Sequence, residues 1–81
     1  MIVRVRLFAA ARQLVGAERV ELELADGATV ADLRRAMSAQ FTAAAGLLPQ
    51  SLFAIDTEYA HDDTVVAPTA EIAVIPPVSG G

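Results

Sequence analysis

The chain contains no cysteine, no lysine and no tryptophan in its 81 residues. Without cysteine there is no disulfide, no thiolate nucleophile and no Cys-based metal or redox site, so the core must hold by packing alone. A cytoplasmic setting is the simpler expectation. Without lysine, Schiff-base chemistry, a phosphate-loop lysine and acceptance of an isopeptide bond all drop out. Positive charge is scarce as well: six arginines face ten acidic residues, for a net charge of −4. That balance is the opposite of a phosphate-binding footprint, and nucleic acid is not an expected partner. Long apolar runs are missing too. Hydrophobic residues make up 54% of the chain, much of it Ala, yet no run approaches the roughly 18 residues that span a bilayer, and no membrane association is expected. The start, Met1-Ile2-Val3 with Arg4 and Arg6 interleaved, lacks the pattern of a signal peptide and reads as part of the fold. Neither G-x-x-x-x-G-K-[ST] nor G-x-G-x-x-G occurs, so the chain has no loop of its own for ATP.

What is present organises as one small domain with no internal repeat. In residues 2–8, Val3, Val5 and Leu7 alternate with Arg4, Arg6 and Phe8, the period of a half-buried strand. Ala9 to Val15 are good helix formers that stop at Gly16, a residue suited to a left-handed helix terminus. A second strand alternates Arg19, Glu21 and Glu23 with Val20, Leu22 and Leu24 and ends at the turn signal Asp26-Gly27. Thr29 with Asp32 resembles a capping box, and Val30, Leu33, Met37 and Phe41 recur at helical spacing, which predicts the main helix over about 30–41. Gly46 and Pro49 punctuate residues 43–51, read as a loop. Short strands follow near 52–55, 58–60 and 71–75. Strand, short helix, strand, main helix and further strands predict an α+β mixed sheet with one helix packed across it.

Few residues offer chemistry. His61 sits in a polar turn beside Asp62 and Asp63, with no nucleophile at hand, and these acids lack the spaced donors of a calcium loop, so no metal site is expected. Arg34 and Arg35 are expected to point away from the apolar stripe into solvent. Arg4, Arg6 and Phe8 share a strand face that is either decoration or a partner surface. The ending differs in kind. Pro76 and Pro77 cannot continue a ladder and would send the last residues outward, and Gly80-Gly81 have no Cβ, so they can thread a narrow channel. The reactive group of such an arm is the carboxylate of Gly81. A carboxylate is anionic and has no leaving group, so it needs activation, commonly by adenylation, and the activating enzyme must be a separate protein.

At this point the chain resembles the sulfur-carrying small subunits of molybdopterin synthase, a ubiquitin-like β-grasp family. The residues that carry the resemblance are I-V-R-V-R-L-F-A at the start, A-R-Q-L-V-G at 11–16, T-V-A-D-L-R at 29–34 and the ending I-P-P-V-S-G-G. The resemblance implies a β-grasp domain over 1–75 and a docking arm over 76–81. It implies that a ubiquitin-activating-type enzyme adenylates Gly81 with ATP and that a sulfur donor converts it to a thiocarboxylate. The large synthase subunit then delivers that sulfur to cyclic pyranopterin monophosphate, in a heterotetramer of two small and two large subunits. No cofactor is bound by the chain itself, and catalysis resides in the large subunit. Carried over by position, Pro76, Pro77, Val78, Ser79 and Gly80 belong to the arm, and Phe8 matches an interface aromatic. Ile75 stands where the family often has Phe, and Tyr59 where an aliphatic residue is common. The same fold and chemistry also serve carriers for thiazole, cysteine or tRNA thiolation, and a ubiquitin-like protein modifier is a further alternative.

Overall fold

In the computed structural model, which describes residues 1–77, the first alternation becomes strand β1 (Ile2–Leu7), with Val3, Val5 and Leu7 buried and Ile2, Arg4 and Arg6 exposed. Helix α1 (Ala9–Val15) follows and ends on Gly16 at φ 82°, whose N–H donates to the Arg12 carbonyl. Strand β2 (Arg19–Glu23) returns antiparallel to β1, with Val5 opposite Val20 and Arg4 opposite Glu21. Helix α2 (Val30–Gln40) is the main helix. Strands β3 (Leu52–Ile55), β4 (Glu58–Ala60) and β5 (Ile72–Ile75) complete a five-stranded sheet of order β2-β1-β5-β3-β4, in which β1 and β5 are parallel and the other neighbours antiparallel.

Helix α2 begins where the sequence places it because every early N–H finds an acceptor, the condition a helix N-terminus must meet. The Val30 and Ala31 N–H groups donate to the Thr64 and Asp62 carbonyls at 2.9 and 3.0 Å. The Asp32 N–H donates to Thr29 Oγ1 at 3.3 Å, and the Thr29 N–H returns a bond to Asp32 Oδ2 at 2.9 Å, which closes a capping box. The Thr29 backbone and hydroxyl bonds hold the Asp32 carboxyl below its ordinary pKa, with a further contribution from the Arg35 cation. The connection 61–70 is thereby tied to the helix start, reinforced by a bridge between Thr29 and Val65.

One layer of core lies between α2 and the inner sheet face. Val30, Leu33 and Met37 from the helix meet Val3, Val5, Leu7, Leu22, Phe53, Ile72 and Val74 from the strands, all but excluded from solvent. Fully burying side chains of this size contributes about 1.5–3 kcal/mol each. Where a loop was expected over 43–51, the chain instead forms two 3₁₀ turns, Thr42–Ala44, which begins one residue earlier, and Leu48–Gln50. Ala44 and Leu48 are fully buried, so tertiary packing organises a stretch whose local signals are breakers.

The β3–β4 hairpin turns on Asp56 and Thr57 at φ 50° and 72°, the conformation in which a two-residue hairpin loop matches strand twist. For Thr57, a β-branched residue, this region is strained, whereas glycine adopts it freely. Replacing Thr57 by Gly is expected to raise stability by about 1 kcal/mol, measured as an upward shift of the urea midpoint at unchanged slope.

Candidate functional site

Among the described residues no helix lies over the sheet face turned away from α2, and the β registers decide which side chains meet there. Ile75 lies opposite Leu52, and Ala73 lies between Arg6 on β1 and Ala54 on β3, with Tyr59 beyond Ala54 on β4. One step past the Leu7–Val74 pair, the register carries Phe8 to the level of Ile75. The outer face therefore presents Phe8, Leu52, Ile75 and Tyr59 around a floor of the two alanines. Leu52 is 54% exposed, Tyr59 69% and Phe8 42%. Four large apolar or aromatic side chains on one face, three of them at the end from which the chain leaves β5 and Tyr59 further along β4, form an accessible apolar patch of the kind that marks protein contact surfaces.

The geometry of Phe8 is set by the chain reversal after it. Phe8 is still extended at φ −129°, and Ala9, the first residue of α1, then takes φ 49°. A left-handed alanine costs on the order of 1 kcal/mol, and here it ends the strand with the Phe8 ring on the outer face. The Arg6 guanidinium sits 5.6 Å from the centre of that ring, a cation–π contact. Ile75 is half-buried, Pro76 is buried and Pro77 is exposed, so the chain turns outward only at Pro77. The remaining expected site residues, Val78, Ser79, Gly80 and Gly81, lie outside the described residues.

The structure thus brings Phe8 and Ile75 together at one end of the face and places Tyr59 at its far edge. Leu52 joins them although sequence reasoning assigned it only to a strand. The signal was available: Leu52 alternates with buried Phe53 and so must face outward.

Arg34 corrects an expectation. Its side chain is not solvated but 18% exposed, lying beneath the 48–51 turn. It donates to the Leu48 and Ser51 carbonyls at 2.8 and 2.7 Å, and to Asp62 at 2.8 Å, and its guanidinium lies 4.8 Å from the centre of the Phe53 ring. The carbonyls that end a 3₁₀ turn need donors, and a planar guanidinium supplies several at once. Arg35 is 71% exposed, as expected, and pairs with Asp32. His61 and Asp63 are exposed, and Asp62 serves Arg34. Among the described residues no cluster of three or more His, Asp or Glu is placed to hold a metal, and no helix is long and apolar enough to cross a membrane.

A five-stranded mixed sheet grasping one main helix, with an uncovered outer face and a chain leaving from its central strand, defines the ubiquitin-like β-grasp class. SAMP1 from Haloferax volcanii shares this fold with a TM-score of 0.84 at 27% identity, over 100% of both chains. Residues 5–81 match the ThiS family, and the chain belongs to it. A molybdopterin synthase sulfur carrier subunit from Chlamydomonas reinhardtii is 34% identical over 83 residues, covering 100% of both proteins. The protein of the same name from Arabidopsis thaliana is 32% identical over 79 residues, covering 98% of this chain and 82% of that protein. The resemblance on which the sequence reading rested is thereby borne out, as is the fold.

Proposed function

We propose that the chain is the sulfur carrier subunit of a molybdopterin synthase and that its working group is the Gly81 carboxylate. The observation that carries this reading is the extent of the similarity. The family match runs through residue 81, and the Chlamydomonas carrier subunit aligns over the whole of both chains. A carrier needs only a stable body, a docking face and an arm.

The chemistry follows from the poor reactivity of a carboxylate. One oxygen of Gly81 attacks the α-phosphorus of ATP on a separate adenylating enzyme, pyrophosphate leaves, and an acyl-adenylate forms. A hydrosulfide equivalent from the sulfur donor then adds to the activated carbonyl, AMP departs and a proton is released, leaving a thiocarboxylate. In the large subunit the sulfur passes to cyclic pyranopterin monophosphate. Two such deliveries complete one dithiolene. The reading places these events in the cytoplasm, and the chain itself binds no cofactor.

Docking on the large subunit falls to the outer face. Phe8, Leu52 and Ile75 cluster at the end where the arm begins, Tyr59 extends the patch, and buried Pro76 fixes the direction in which exposed Pro77 leads the chain away. Replacing Phe8 with Ala is expected to weaken binding to the large subunit by about 1–3 kcal/mol, the range of a well-buried interface aromatic. Isothermal titration of the two purified subunits measures this. Unchanged affinity would remove Phe8 from the interface and, with Leu52→Ala also silent, would remove the face.

A further inference from the structure

Four of the six arginines, Arg4, Arg6, Arg12 and Arg19, border two adjoining hollows on the β1–β2 side of the outer face, in a chain whose net charge is −4. The larger hollow, of about 530 Å³, is a cleft lined by Arg4, Arg6 and Arg19 and walled on its other side by residues 68–71. Two of these arginines already have partners: Arg4 pairs with Glu21 at 3.1 Å, and Arg12 with Glu18 at 2.9 Å. Arg6 and Arg19 are exposed and have no ion pair among the described residues. They stand directly opposite each other in the β1–β2 ladder. Like charges so placed destabilise a sheet, and a carboxylate between them reverses the sign of that interaction. The acid on the cleft wall, Glu71, has its backbone N–H and carbonyl engaged by Asp56.

We propose that this cleft receives an acidic, extended segment of the large subunit, whose carboxylates engage Arg6 and Arg19. Three features favour a protein carboxylate. The cleft has room for two or three side chains. The guanidinium fork matches a carboxylate in bidentate geometry. Arg6 also stacks on Phe8, so the basic cleft is continuous with the apolar patch and both would be covered by one partner. The apolar patch then supplies most of the affinity, and the arginines fix the orientation of docking and speed encounter.

The inference rests on the docking reading above, and the two can fail separately. The full-length chain is titrated with its large subunit at about 50 and 500 mM NaCl, conditions between which exposed charges are progressively screened. Wild type, Phe8→Ala, the double variant Arg6→Ala/Arg19→Ala and the double variant Arg6→Lys/Arg19→Lys are compared. The alanine pair is expected to lose at least tenfold in affinity at the lower salt, mostly through the association rate, and to lose little at the higher. The lysine pair should recover part of the loss. Melting of the alanine pair should match or exceed wild type, because a like-charge contact is gone. If the alanine pair binds as wild type while Phe8→Ala is weakened, the acidic segment is refuted and the docking face stands. If neither changes, both fail. Loss of a self-associated form of the isolated chain, with heteromeric affinity intact, would assign the cleft to a second copy and overturn the proposal.

Discussion

Deleting Gly81 is expected to abolish charging of the chain while leaving its melting temperature within about 1–2 °C of the full-length protein. The two halves of that result have different causes. Stability resides in the core between α2 and the sheet, and Val74 and Pro76 are the last buried residues described. Gly81 lies five positions beyond Pro76, so its removal is expected to leave that core intact. Charging, by contrast, depends on where the terminal carboxylate lies relative to the activating phosphorus. One residue fewer shortens the reach by about 3.3–3.6 Å, and a misplacement of even 1 Å can cost on the order of a hundredfold. Intact mass after incubation with the adenylating enzyme reads the charging, and thermal melting reads the fold. A melting temperature lowered by several degrees would make the tail part of the core. Full charging of the shortened chain would show that the position of the carboxylate is not what matters.

The second large effect is on stability. Arg34→Ala is expected to destabilise the domain by about 2–4 kcal/mol, because hydrogen bonds from a charged group contribute about 1.5–3 kcal/mol and buried acceptors left without donors add to the loss. Most of this belongs to the Leu48 and Ser51 carbonyls and to the packing on Phe53. The pair with Asp62 adds little, since that carboxylate is 61% exposed and its attraction is screened. For a domain of this size, 1 kcal/mol moves the melting temperature by roughly 4–8 °C, so the variant should melt at least 8 °C lower. Arg35→Ala should change stability by no more than about 0.5 kcal/mol. Arg34→Lys should recover only part of the loss, because one ammonium can replace Nη1 at the two carbonyls but supplies neither the second nitrogen that reaches Asp62 nor the planar face on Phe53. Equal, small effects at positions 34 and 35 would contradict the structure's distinction between them.

Arg34 also shows where sequence reading stopped. Strand alternation in 2–8 and 19–24, the Thr29–Asp32 box and Gly16 as helix terminus are local signals, and each is realised at the residues that carry it. Position 34 stands four residues after Val30 and three before Met37, so helical spacing puts its stem beside the buried stripe. Its polarity argued for solvent, and the acceptors that bring it inward come from residues 48–51, far away in sequence. Those residues were opaque for the same reason. Gly46 and Pro49 announce irregular backbone, and nothing local reports that Ala44 and Leu48 fill the core. The outer face was legible in part. Strand alternation put Phe8 on a candidate partner face, Tyr59 and Ile75 came from the resemblance, and their gathering with Leu52 required the register of β5 between β1 and β3. The opposition of Arg6 and Arg19 likewise exists only once β1 and β2 pair.

The most direct test of the account is the intact mass of the purified chain after incubation with ATP, its adenylating enzyme and sulfide. The expected result is a gain of about 16 Da, sulfur in place of one oxygen at Gly81, that is lost again when the large subunit and cyclic pyranopterin monophosphate are added. A gain discharged only by other acceptors would assign the chain to a different sulfur pathway, and no gain with an active enzyme would contradict the carrier role itself.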